Sequence, residues 1–378
     1  MSFGTLALIC LCGLAGPLLS AAGRGMAPVV VGELLAGVAV GRTGLQAIDP
    51  ANATLGFLYE IGFVMLMFQA GLSVPLREPG LAQSIGRGAR VAALAAVLAI
   101  GAGVLLSRLA GAGNPAVYAV LVASGSAAVV LPVLQERALA DAVALTVMAQ
   151  VAIADVAATV GVPLALDPSH APKVLAGSAI VAGCALALLM AARSLRGEAG
   201  RRVQQLRALG RRRHWAVDLR LALVVLFGLA WLTQRSGASL LIAGFGSGLT
   251  VAAIGGPKRL SNEVLGIAGG FFIPLFFVVL GARLDLRGVF SDPELIAFAA
   301  VLAALSALVH LLAARLSRLP RSAGMVASAQ LGVPSAIVAL GLPLHVLTPP
   351  QAAAIILAAL GSIAVCSIGA AGMAREHR

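Results

Sequence analysis

Charge is scarce in this sequence. Asp, Glu, Lys and Arg make up 11% of 378 residues, where soluble domains carry about 25%. Hydrophobic residues reach 60% and there are 44 Gly. A soluble fold of this size could not cover its surface with so few charges, so a soluble enzyme and a disordered chain are both excluded. Aromatics are also sparse, at 4%. That leaves no platforms for stacking bases, and nucleic acid is excluded as a partner despite a net charge of +12. Four cysteines (Cys10, Cys12, Cys184 and Cys366) sit in apolar runs without a CxxC pair. They read as helix-packing residues and not as a redox, metal or disulfide framework. The N-terminus lacks a basic n-region, so Phe3–Ala22 reads as a first membrane span and not as a cleaved signal. No organic cofactor is implied.

What the chain has in abundance is long apolar runs. A membrane helix needs about 20 such residues. Runs between Gly, Pro and charged punctuation give about thirteen candidates: 3–22, 27–42, 54–75, 88–109, 115–134, 141–164, 172–192, 215–233, 237–255, 262–282, 293–316, 322–342 and 350–373. They are too long and continuous for barrel strands, which predicts an all-α polytopic membrane protein. The loops agree with the count. With the N-terminus outside, 21 of the 27 Lys and Arg fall on one set of loops, and the positive-inside rule places that set, with the C-terminus, in the cytoplasm. The longest polar stretch, 193–214, holds eight Arg against the single acid Glu198. It reads as a basic cytoplasmic linker touching anionic headgroups. It divides helices 1–7 (1–192) from helices 8–13 (215–378).

Three acids fall inside predicted spans: Glu33, Glu60 and Asp155. Such a group is costly at bilayer depth and is a candidate functional residue. Asp155 lies near the middle of helix 6. No Lys or Arg occurs between Asp141 and Lys173, so it has no partner within its own helix. A buried, unpartnered carboxylate can trade a proton for a cation near neutral pH. Glu33, on a helix with small-residue faces at Gly32, Gly37 and Gly41, has two readings: an ion entry path, or a hydrogen bond across a packed helix pair. Glu60 reads as structural or interfacial. His310 is the one histidine deep in a span, either a satisfied packing residue or a titrating modulator. Thr159 and Ser306 are further polar candidates near these groups.

Two helices carry interruptions. Helix 5 contains Ser124-Gly125-Ser126 followed by Pro132, and helix 12 contains Gly332 and Pro334 followed by Ser335. Pro removes a backbone donor and clashes with the preceding turn. The two interruptions lie seven helices apart. Paired breaks in corresponding positions point to inverted repeats and a midplane site, where freed carbonyls and helix ends meet an ion. Asp155 follows directly on the first break, so Asp155, Ser124 and Ser126 can face one cavity.

Five stretches together resemble the cation:proton antiporter superfamily, in the branch of Kef-type and bacterial sodium/proton exchangers. They are Pro28-Val-Val-Val-Gly-Glu-Leu-Leu-Ala-Gly; Gly62-Phe-Val-Met-Leu-Met-Phe-Gln-Ala-Gly-Leu72; Ser126-Ala-Ala-Val-Val-Leu-Pro-Val-Leu-Gln-Glu136; Ala154-Asp155; and Pro274-Leu-Phe-Phe-Val-Val-Leu-Gly-Ala-Arg-Leu-Asp-Leu286. The resemblance implies a sodium/proton antiporter-like fold with crossed broken helices, a homodimer, and a core that moves like an elevator against a scaffold. It carries the essential acid of helix 6 onto Asp155, where H+ and a transported Na+ or K+ would compete. The chain departs from the pattern twice. Ala154 stands where many relatives have a second acid or Asn, and Ser306 stands where many have a lysine on helix 11. One titratable carboxylate then implies one cation per proton, without net charge movement. The expected setting is a bacterial inner membrane. Two other readings fit the composition: a proton-coupled transporter of another small solute, which would want a wider polar cavity, and a non-transporting sensor or partner subunit of an exchanger. A membrane enzyme would want two close catalytic groups, and none is present.

Overall fold

In a lipid environment backbone polar groups must be satisfied within the segment, and every long element described here is helical. The computed structural model describes residues 1–22, 29–72, 81–109, 114–136, 139, 141–194, 217–236, 240–254, 266–284 and 286–376. The basic linker therefore lies, from residue 195 on, outside the described residues. The elements are α1 (Phe3–Gly13), α2 (Ala15–Ala22), α3 (Val29–Val40), α4 (Ala53–Leu72), α5 (Leu81–Leu109), α6 (Pro115–Ala123), α7 (Ala127–Glu136), α8 (Ala142–Leu166), α9 (Ala171–Ser194), α10 (Val217–Ser236), α11 (Leu240–Ile254), α12 (Ile273–Arg283, entered through a π-helical turn at Ala268–Phe272), α13 (Leu286–Ser291), α14 (Pro293–Leu316), α15 (Arg321–Ala327), α16 (Gly332–Gly341) and α17 (Pro349–Glu376).

Among the described residues, eight helical stretches are long and apolar enough to cross a membrane, and three shorter apolar helices, Val29–Val40, Leu240–Ala253 and Ala268–Arg283, accompany them. The chain is an all-helical, multi-pass membrane protein. Helix starts are set by ordinary capping chemistry. Asn114, Asp141 and Asp292 each accept a hydrogen bond from a backbone N–H of the first turn that follows, at 3.0, 2.9 and 2.9 Å, which satisfies donors the helix leaves open.

The helices sort into two groups. α5, α6–α7, α8, α14, α15–α16 and α17 pack among themselves, and so do α1–α2, α3, α4, α10, α11 and α12, with α9 against α8, α10 and α11. Contact between the groups is thinner. It runs through α4 with α7 and α16, and α8 with α11, where Ala70, Ala152 and Phe245 form a small buried cluster of their own.

The pairings repeat. Counting α1–α2, α6–α7 and α15–α16 as single spans, α3 against α12 corresponds to α11 against α4 after a shift of seven, and both pairs are among the most extensive in the molecule. Both use glycine in the same way. A Cβ on Gly37 or Gly41 would strike the backbone of Val278 or Ala282, and one on Gly248 would strike the Phe68 carbonyl. Close backbone approach of this kind replaces the hydrophobic driving force that lipid does not supply. Gly248→Ala is therefore expected to destabilise the protein by about 1–3 kcal/mol, the usual cost of overpacking. A detergent-solubilised thermal melt checks it. Gly228→Ala, where a Cβ would meet nothing within 4 Å, should leave the midpoint unmoved or raise it.

Candidate ion site

The two interruptions meet. α6 ends at Ala123, Ser124 leaves it in an extended conformation (φ −74°, ψ 154°), and α7 starts at Ala127. In the second half α15 ends at Ala327, and α16 restarts at Gly332 after Leu331 departs from helical geometry (φ −149°, ψ −55°). Gly125 lies against the carbonyl of Ala327: a Cβ there would sit 3.2 Å from that oxygen and 3.1 Å from Val151. A larger residue at 125 would push the two breaks apart.

The prolines act differently from the sequence reading. Pro132 lies inside α7, which runs on to Glu136. The first break is made by Ser124-Gly125-Ser126, so Pro132 is not part of the crossing. Pro334 sits in the first turn of α16, where its missing N–H costs no intrahelical bond. Gly332, Pro334 and Ser335 thus open the second half-helix, just beyond the break at Ser328–Leu331. Ser335 is fully buried and its hydroxyl has no partner.

Asp155 reaches the crossing from α8. It is 7% exposed, and its Oδ2 accepts a hydrogen bond from the backbone N–H of Ala127 at 2.8 Å. The carboxylate therefore sits at the N-terminus of the half-helix α7, where unpaired N–H groups and the helix dipole favour negative charge. Among the described residues the only ion pair is the exposed Asp167–His170, so no cation neutralises Asp155. Thr159, one turn on, is tied back to the Asp155 carbonyl at 2.8 Å. Ser126 is buried and its carbonyl accepts from Val129 and Val130, at 3.1 and 2.9 Å, as α7 begins. The Ser124 hydroxyl donates to the Leu121 carbonyl at 2.7 Å.

One residue that the sequence reading passed over holds the crossing together. Gln330, in the second break, is 3% exposed. Its side-chain amide donates to the Leu121 carbonyl at 2.7 Å, the Ser124 carbonyl at 3.3 Å and the Ser306 hydroxyl at 2.5 Å. Its backbone N–H donates to Ser362 on α17 at 2.9 Å. Gln330 thus joins both breaks to α14 and α17. Ser306 belongs to this network, and His310, one turn along α14, is buried with its Nδ1 2.9 Å from the Ser306 carbonyl. Glu33 does not join it. α3 packs on α12, α2 and α1, and Glu33 is buried there, facing Gly16 of α2.

A cavity of about 510 Å³ lies between the two helix groups, lined by Tyr59, Glu60 and Phe63 of α4, Pro163 and Leu166 of α8, and Arg283 among others. Pro163 is about 12 Å along α8 from Asp155, at 1.5 Å per residue. Asp167 stands at this mouth. Hydrogen bonds from Ser169 and His170 hold its carboxyl below the ordinary range, so it stays charged. Arg283 lies over the Tyr59 ring, 4.1 Å from its centroid.

A pair of half-helices crossing beside a buried carboxylate defines a class of secondary transporter, and the comparisons with known proteins agree. Residues 6–375 match the family described as sodium/hydrogen exchanger, transmembrane, and the chain belongs to that family. It is 25% identical over 361 residues to a Bacillus subtilis (strain 168) protein named "Putative Na(+)/H(+) antiporter YjbQ", covering 88% of this chain and 57% of that one. It is 28% identical over 271 residues to K(+) efflux antiporter 2, chloroplastic, of Arabidopsis thaliana, covering 68% of this chain and 22% of that one. The chain thus spans little more than half the length of the first relative and about a fifth of the second. Its fold is similar to that of the sodium proton antiporter MjNhaP1 from Methanocaldococcus jannaschii at pH 8, with a TM-score of 0.64 at 16% identity over 99% of this chain and 96% of that one.

Proposed function

We propose that the chain is a secondary active antiporter exchanging Na+ or K+ for H+ across a bacterial inner membrane. The observation that carries this reading is Asp155: a buried carboxylate, unpaired with any cation among the described residues, accepting a backbone N–H at the positive end of a half-helix. A cation and a proton are alternative ways to balance it. In one state the carboxylate binds H+. In the other it releases H+ and takes the metal ion, with carbonyls of the broken segments and the Ser124 and Ser126 oxygens as further ligands. Glu60 and Asp167 at the cavity mouth raise the local cation concentration.

Thirteen spans fit this reading, with α1–α2, α6–α7 and α15–α16 each counted as one and the C-terminus in the cytoplasm. The thin contact between the two helix groups suits an elevator, in which α5–α8 and α14–α17 slide as a body against α1–α4 and α10–α12. A homodimer through the second group follows from the resemblance. The exchange is one cation per proton, because Asp155 is the one acid at the crossing among the described residues and Ser306 and Gln330 are neutral.

Proteoliposomes test the reading. The purified chain should acidify or alkalinise the lumen when Na+ or K+ is added, and an imposed membrane potential should leave the rate unchanged. Absence of exchange with Na+, K+ and Li+ alike defeats the proposal. A rate that follows voltage defeats its electroneutral part.

A further inference from the structure

The end of the molecule opposite the large cavity holds a second, smaller one. It has a volume of about 170 Å³ and is lined by Arg87, Arg90, Val91 and Leu94 of α5, Thr146 of α8, and Leu316, Ser317 and Leu319 at the end of α14. A single water needs about 10–15 Å³ of such space, so the cavity holds a group several times larger. No acid lines it.

Two features mark the space as built for an anion. Arg87 and Arg90 lie three apart on α5, one above the other on the same face. Arg90 Nε donates to the Gly86 carbonyl at 3.3 Å, which braces the side chain, and neither guanidinium meets a carboxylate among the described residues. The second feature is Ser317. Its Oγ is buried and has no hydrogen-bond partner, which is unfavourable unless a ligand or water satisfies it. The residue is fixed in place: its N–H donates to Ala313 and Ala314, and Leu319 N–H donates back to Ala314 at 2.8 Å.

We propose that this cavity binds a phosphate group, held by the guanidinium forks of Arg87 and Arg90 and by the Ser317 hydroxyl as donor. Arginine recognises phosphate bidentately, and Ser317 brings the one unpaired buried hydroxyl among the lining residues. The site lies where α5 and α8 begin and α14 ends, at the mouth of the bilayer, and on the side that the basic loops assign to the cytoplasm. The phosphate comes either from an anionic lipid headgroup or from a soluble phosphate ester. The three helices it ties belong to the group that carries Asp155.

Native mass spectrometry of the full chain in detergent, with phosphatidylglycerol or phosphatidylcholine added, tests the lipid arm. Calorimetric titration with glycerol 3-phosphate tests the soluble arm. The expected result is retention of phosphatidylglycerol over phosphatidylcholine by about tenfold, lost in the double variant Arg87→Gln/Arg90→Gln and reduced about threefold in Ser317→Ala. Glycerol 3-phosphate binding with the same dependence on these residues, and no lipid preference, assigns the site to a soluble ester. Equal retention of both lipids together with no heat from glycerol 3-phosphate overturns the proposal, and so does unchanged binding in the double variant. Hydrogen exchange on the unaltered protein gives an independent readout. The ligand that binds should slow exchange at 87–94 and 316–319, and unchanged exchange there also overturns it.

Discussion

Asp155→Asn should abolish cation-dependent pH change in everted vesicles, lowering exchange by about 100-fold or more, while the protein still folds. The expectation follows from the geometry of the one hydrogen bond the side chain makes. Oδ2 accepts from Ala127 N–H at 2.8 Å, and an asparagine of the same shape can present its carbonyl oxygen to that donor. The start of α7 therefore stays capped. What is lost is the charge and the titration. A unit charge pair at 4 Å is worth about 4 kcal/mol at an effective dielectric of 20, close to three decades in affinity, and an amide carries no exchangeable proton in this range. Asp155→Ala removes the cap as well, and should add about 0.5–2 kcal/mol of destabilisation. The pair of variants separates the two roles: equal transport loss, unequal melting temperature. Exchange retained in Asp155→Asn at near the original rate would sink the assignment of the site.

Much of this arrangement is written in local chemistry. Ser124-Gly125-Ser126 stops a helix because two hydroxyls compete for backbone partners and glycine gives up helical propensity, and the stop is where the sequence places it. The glycines at 32, 37 and 41 announce a close helix contact, and each would drive a Cβ into neighbouring backbone. Asp155 stands out because a charge in a long apolar run is costly and marks a functional candidate. The partners of those helices are not local, so the sequence could not name α12 or α2.

Pro132 misled for a physical reason. A proline within a helix costs its neighbours one bond, which α7 absorbs without ending. Gln330 stayed invisible because an amide in an apolar segment carries neither charge nor period. Its meaning comes from Leu121, 209 residues away in the chain. Glu33 shows the converse: an acid on a well-marked helix, buried against Gly16 of α2 and not among the residues of the crossing.

Gln330→Leu tests whether the crossing depends on that amide. The substitution keeps the approximate volume and removes three hydrogen bonds, leaving the Ser124 carbonyl and the Ser306 hydroxyl without this donor, while Leu121 keeps the one from Ser124. Buried groups left unpaired cost about 1–3 kcal/mol each, and the unfolding midpoint should fall accordingly. Transport should fall further than stability, by about 10–100-fold in rate, because the amide fixes the spacing between the two breaks that Asp155 faces. A double-mutant cycle with Ser306→Ala distinguishes this from general loosening. The two side chains bond at 2.5 Å, so their stability effects should fall short of additive by about 0.5–3 kcal/mol, with the same sign of coupling in the exchange rate. Gln330 and Gly248 are in different helix groups and share no contact, so Gln330→Leu with Gly248→Ala should be additive in stability. Additivity with Ser306→Ala would instead mean that the amide does not act through α14, leaving its bonds to Leu121 and Ser124 as the tie between the two breaks.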